Sequence, residues 1–161
     1  MAENDKMQPV LIPKGMLGAT RDLVISRQHA VLLSTDRLVR AIHLAEARGV
    51  RARVAKGKRE VTYLHLMFDA HQIIFAENVA SESFYPGANA LHMLTPEALT
   101  DLVQVCPELA KTDDLTSIAE IYGPTARPIL TRYEVATDAS VKSERSDSGV
   151  QPCNVRWPVA A

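Results

Sequence analysis

Residues Tyr63–Phe84, YLHLMFDAHQIIFAENVASESF, constrain this chain more than any other stretch. Two apolar runs, Tyr63–Phe68 and Gln72–Ala76, flank an Asp69-Ala70 corner. That spacing predicts a two-stranded hairpin whose turn uses residues tolerant of unusual backbone angles. Side chains alternate across a strand, so Tyr63, His65 and Met67 are expected on one face and Leu64, Leu66 and Phe68 on the other. A polar, titratable face then backs onto an apolar one, with His65 in mid-strand and His71 at the corner.

Upstream, residues 1–8 read as a mobile N-terminus, Pro9–Pro13 as a short extended piece and Lys14–Arg21 as a glycine-bearing loop. Asp22–Ser26 and His29–Leu33 are two β-rich runs joined by Arg27-Gln28, which places Ser26 and His29 three residues apart where one strand hands over to the next. Asp36–Gly49 carries Leu38, Ile42 and Ala45 at helical intervals and closes on Gly49, which predicts a short helix. His43 lies beside that stripe without an acidic or hydroxyl partner at a useful spacing, and reads as a surface or packing histidine. Val50–Val54 alternates arginine with small apolar residues, so the chain up to Phe84 reads as mainly β.

The pattern changes after the predicted hairpin. Thr95-Pro96-Glu97 offers a cap, a first-turn proline and a first-turn acid, and apolar residues then recur at helical spacing as far as Pro107. A second helix is predicted over Asp113–Ile121 and a third, shorter one from Pro128 toward Val135. From residue 137 small, polar and charged residues replace the apolar pattern, which predicts a disordered tail over 137–161 with Trp157 as its one sizeable apolar group. The expected fold is therefore mainly β with two or three C-terminal helices, α+β overall: a domain over 9–136, with its β part at 9–84 and its helical part at 95–136.

Composition narrows the function classes. The formal net charge of −1 leaves no basic footprint for nucleic acid or an acidic membrane surface, so neither partner is expected. No apolar run approaches the roughly 20 residues that span a bilayer, and the start MAENDKMQP lacks the apolar centre of a signal peptide. The compartment stays open, with the cytoplasm as the default. Cys106 and Cys153 stand alone, without zinc-knuckle or disulfide spacing, and Cys106 reads as a small buried apolar residue.

Three segments carry a family resemblance. The stretch YLHLMFDAHQIIF resembles the late motif of hedgehog/intein (Hint) autoprocessing domains, bacterial type; IPKGMLGATRDLVISRQHAVLL is similar to their segment bearing a hydroxyl residue, two variable positions and a histidine; ARPILTRYEV resembles a C-terminal portion. The resemblance covers roughly residues 9–135. It implies an incomplete Hint-like β-fold and a self-processing chemistry in which a cysteine at the domain's first position attacks the preceding carbonyl and converts a peptide bond to a thioester. The departing amide nitrogen needs a proton donor, since an amine anion is too basic to leave, and an imidazole suits that task. His29 matches this donor, and Ser26 matches the hydroxyl that bonds the strained peptide or its oxyanion. His71 matches the later histidine, which assists when water or another nucleophile resolves the thioester. Asp69 is available to orient an imidazole, although a carboxylate at a corner is more often a turn former. His65 lies one register away from a strand aspartate of intein relatives.

On this reading no metal and no cofactor are involved, and Ser26, His29 and His71 are expected to converge on one cleft. The sequence also departs from the family. No cysteine precedes Cys106, and the hairpin does not end in a histidine-asparagine pair, so splicing is not expected. The expectation is a C-terminal part of such a domain, truncated at its N-terminus and silent alone. It would be completed by an upstream or separately encoded Cys-bearing segment, or would cover its exposed edge by self-association. Two other readings stand beside it. One is a β-rich remnant acting as a binding or structural module without catalysis; the other is a small metalloenzyme using His65, Asp69 and His71 as two histidines and one carboxylate.

Overall fold

The computed structural model describes residues 8–57, 61–92, 94–111, 115–138 and 141. The fold is α+β with a β core, and the chain divides into two units: Met1–Leu64, Ile74–Ser81 and Arg127–Ala161 form the first, His65–Ile73 and Glu82–Ala126 the second.

The first unit is built on short strands. Pro9 and Pro13 bracket β1 (Val10–Ile12), whose alternation buries Val10 and Ile12 and leaves Leu11 half-exposed. β1 pairs antiparallel on one side with β2 (Leu23–Ile25) and on the other with β5 (Arg53–Val54). The second sheet runs in the order β6-β7-β3-β4-β8, with β3 at Ala30–Ser34, β4 at Arg37–Arg40, β6 at Ile73–Ala76, β7 at Val79–Glu82 and β8 at Ile129–Leu130. β3 and β4 form a hairpin, and β8 lies parallel to β4. Helix α1 (Ala41–Glu46) leads directly out of β4 and is the short helix predicted within Asp36–Gly49, whose first residues Arg37–Arg40 are taken up in pairing with β3. Val10, Ile12, Met16, Val31, Val39, Leu44, Val79 and Val135 fill the core. Each large side chain removed from water there contributes about 1.5–3 kcal/mol before entropy is counted.

Pro128 does not open a helix. Its carbonyl accepts the Leu38 N–H at 2.9 Å, which draws Ile129-Leu130 alongside β4, and the helix waits for Thr131. α5 (Arg132–Thr137) then starts on a capping box: Thr131 caps the helix and Glu134 accepts the Thr131 N–H at 2.8 Å. Val141 is buried in the same core, although the sequence assigns it to the tail. Residues 139–140 and 142–161, with Cys153 and Trp157, lie outside the described residues.

The hairpin predicted at Asp69-Ala70 is placed differently. Tyr63–Phe68 joins neither sheet, and the chain reverses at Glu77-Asn78 between β6 and β7. Both turn residues have positive φ, 50° and 66°, the signature of the two-residue turn whose twist matches its strands. Asparagine adopts this conformation readily and glutamate does not. Glu77 is held there by its neighbours: its carbonyl accepts the Thr20 N–H at 2.9 Å, and its carboxylate takes two bonds from Arg21 at 2.7 and 2.9 Å. Arg21 in turn holds the Glu77 carboxyl below its ordinary range.

Asn78 donates to the Gly18 carbonyl at 3.0 Å, and Gly18 sits at φ +79° where an added Cβ would meet the Asn78 amide nitrogen at 3.3 Å. Gly18→Ala is therefore expected to lower stability by about 1–2 kcal/mol through the left-handed backbone alone. Urea unfolding of the two proteins measures this difference, and an unchanged midpoint would contradict the close approach.

In the second unit, α2 (Ala88–Leu91), α3 (Pro96–Val105) and α4 (Leu115–Tyr122) surround a core of Phe84, Leu102, Leu109 and Ile118. α3 begins as the sequence predicts, with Thr95 Oγ1 accepting the Ala98 N–H at 3.2 Å. α4 falls within the helix predicted over Asp113–Ile121, whose first residues, Asp113 and Asp114, lie outside the described residues. The apolar face read for 63–68 is not buried: Leu64 is 87% exposed and Leu66 58%, while Met67 packs on the second core. His65 is exposed between Leu64 and Leu66, so burial does not alternate along this stretch. No helix among the described residues is long and apolar enough to cross a membrane.

Candidate functional site

Ser26 and His29 occupy the two ends of one turn between β2 and β3. The His29 N–H donates to the Ser26 carbonyl at 3.2 Å, and the Gln28 N–H donates to Ser26 Oγ at 3.4 Å. The turn is anchored to the start of α1, because the Ala41 N–H donates to the His29 carbonyl at 2.9 Å and the Ile42 N–H to the Arg27 carbonyl at 3.0 Å. Both side chains are half-buried. Ser26 Oγ acts as an acceptor within its own turn, so its O–H proton remains available to donate outward. A hydroxyl and an imidazole are thus held three residues apart on a backbone that both flanking elements fix.

The other predicted residues belong to the second unit. His71 has no exposed side-chain surface. Its Nδ1 accepts the Ala126 N–H at 2.8 Å, and this assigns the proton of the neutral ring to Nε2, which lies 3.2 Å from the Ser83 carbonyl and 3.4 Å from Glu82 Oε2. Ser83 ties the same corner twice more, its N–H donating to the Gln72 carbonyl at 2.8 Å and its Oγ accepting the Gln72 N–H at 3.0 Å. An edge-on cascade of rings follows, His71 to Tyr85 and Tyr85 to Tyr122, with centroids 5.2 and 5.8 Å apart. The Tyr122 hydroxyl closes it by donating to the Phe68 carbonyl at 2.7 Å.

His65 is exposed and tilts over the Phe84 ring with centroids 5.1 Å apart. Partial desolvation lowers its pKa, and the Glu82 carboxylate opposes that shift. Asp69 is exposed at its corner. Among the described residues no group of three or more His, Cys, Asp or Glu is placed to hold a metal ion, so the two-histidine, one-carboxylate alternative is not assembled.

His43 packs as its position on the apolar stripe predicts, with Nδ1 buried and without a hydrogen-bond partner; burial lowers its pKa, and Arg40 adds to the effect. The Cys106 thiol is half-buried rather than buried, and desolvation raises its pKa. Glu82 and Ser83, which link His71 to the strand, were not singled out by the sequence. The SES run closing the hairpin strand was the available signal, since a glutamate between two serines is an unusual end for a strand heading into a core.

The family model for the Hint domain matches residues 1–88, more than half of the 161-residue chain. The chain belongs to the Hint domain family. Comparison with curated proteins and with solved structures finds no match.

Proposed function

We propose that this chain is the histidine-bearing part of a Hint-type self-processing site, in which a thiol from a segment outside this sequence attacks a peptide carbonyl next to the domain. Sulfur bonds to the carbonyl carbon as its proton passes to His29, the carbon–nitrogen bond breaks, and the amide nitrogen leaves with the proton that His29 returns. Ser26 Oγ–H steadies the oxyanion formed on the way. The observation that carries this reading is the Ser26–His29 turn, which is fixed at both ends and leaves the hydroxyl proton free to donate. The two cysteines of the chain, at 106 and 153, follow the histidines instead of preceding them. Neither stands where the attacking residue of the family would.

The reading is tested by fusing a reporter to the front of the chain, with and without a Cys-led β segment between them. Without the segment no release is expected. With it, release should require the cysteine and should accelerate with added thiol. Thiol-dependent release from the fusion that lacks the segment would overturn the division of labour, and silence of both fusions would leave a binding or structural module.

A further inference from the structure

We propose that Gln28 and Arg40 are positioning residues for the acyl shift: Arg40 holds the Gln28 side chain, and Gln28 in turn holds Ser26 in the orientation that frees its hydroxyl proton for the oxyanion. The inference rests on the Hint-type reading for what Ser26 does. It rests on contacts within the first unit alone for how Ser26 is held.

The turn from Ser26 to His29 is fastened residue by residue to the chain around Arg40. The Arg27 carbonyl accepts the Ile42 N–H at 3.0 Å, and the His29 carbonyl accepts the Ala41 N–H at 2.9 Å. Gln28, between them, is fastened through its side chain: Arg40 Nη1 donates to Gln28 Oε1 at 3.1 Å. The sheet brings the two residues together, because Ala30, which follows His29, pairs with Arg40 across β3 and β4. A guanidinium only donates, so the oxygen end of the Gln28 carboxamide is the end that faces Arg40.

The effect of that hold falls on Ser26. The Gln28 N–H donates to Ser26 Oγ at 3.4 Å, a long bond for an amide donor and one that a small rotation of the Gln28 peptide would break. While it is made, an acceptor site of Oγ is occupied and the hydroxyl proton is directed away from the Gln28 amide. Without it, the serine hydroxyl would have to be ordered during the reaction itself, which forfeits the advantage of a donor aimed beforehand.

The side chains of the pair are suited to this local task. Arg40 stands at the N-cap position of α1, yet its side chain makes no capping bond, and Gln28 is exposed. A bond between such groups contributes little to global stability. Its consequence is therefore to fix one peptide of the turn.

The unmodified chain tests the tie without any cleavage assay. Nitrogen relaxation gives an order parameter for each backbone amide. Arg40→Met keeps the aliphatic stem and removes the donors, and it should lower the order parameter of the Gln28 amide from the rigid range of about 0.85 by at least about 0.1, with Ala41 and Ile42 unmoved. In Gln28→Glu the carboxylate accepts from Arg40 at least as well, and the amide of residue 28 should stay rigid. A Gln28 amide that keeps its order in Arg40→Met would overturn the proposal.

A fusion completed by a Cys-led segment tests the purpose of the tie. Arg40→Met and Gln28→Ala should each slow thioester formation about 10-fold, the effect of one modest hydrogen bond. The double variant should be no slower than either, because both changes break the same tie. In a Ser26→Ala background neither change should cost anything further, since the hydroxyl through which they act is gone, whereas a general loosening of the unit would slow that protein as well. Gln28→Glu should recover most of what Gln28→Ala loses. Additive losses, a loss that persists without the Ser26 hydroxyl, or a Gln28→Glu protein as slow as Gln28→Ala would each refute the assignment. Silence of the parent fusion would overturn the Hint-type reading and with it the catalytic purpose of the tie, while the relaxation result would stand on its own.

Discussion

His71→Ala is expected to destabilise the second unit by at least about 3 kcal/mol, because each buried backbone group left unpaired costs roughly 1–3 kcal/mol and the lost ring leaves a void in addition. The groups that lose their bond to the ring are the Ala126 N–H and the Ser83 carbonyl. The edge-on contact with Tyr85 disappears as well. His71→Asn should recover part of the loss, since its Oδ1 falls near the place of Nδ1 and can accept the same amide proton. Urea unfolding separates the three proteins, and hydrogen exchange at Ala126 locates the effect: slow in the parent, intermediate in the asparagine variant, fast in the alanine variant. Equal losses in the two variants would show that the Ala126 bond contributes little.

This clamp was only partly legible in the sequence. The pattern marked His71 as a corner residue with a role, but its partners lie far along the chain: Ala126 is 55 residues away. Local spacing carries no information about such a contact. Two relations whose sides are both local were read correctly. Thr95-Pro96-Glu97 predicted the start of α3, and the Arg27-Gln28 join predicted the Ser26–His29 turn.

The hairpin was misplaced for a related reason. Asp69-Ala70 has a conventional turn acid, whereas Glu77-Asn78 needs a glutamate at positive φ, stabilised by Arg21 and Thr20 from 56 and 57 residues upstream. Tertiary contacts there outweigh local preference. The exposure of Leu64 and Leu66 follows from the same error, because a segment outside the ladder has no sheet to set which side is buried.

The second large effect is on chemistry. In a fusion completed by a Cys-led segment, His29→Ala should slow thioester formation on the order of 10²–10⁴-fold, the range supplied by a positioned proton donor. Ser26→Ala should cost about 100-fold, as expected for one hydrogen bond to a developing oxyanion. Neither change should unfold the first unit, since the turn is held by backbone bonds: His29 N–H to the Ser26 carbonyl, and the Ala41 and Ile42 N–H groups to the His29 and Arg27 carbonyls. A circular dichroism melt of each variant checks that assumption. A variant that melts early would place the loss in folding instead of catalysis.

The central claim, that the Ser26–His29 corner drives an acyl shift, is tested most directly by intact-mass analysis of the completed fusion and its His29→Ala variant after a hydroxylamine quench. Hydroxylamine captures thioesters as hydroxamates and leaves peptide bonds intact on that timescale. The parent is expected to yield the reporter as its hydroxamate and the His29→Ala protein to remain whole. Equal hydroxamate from both proteins would contradict the claim.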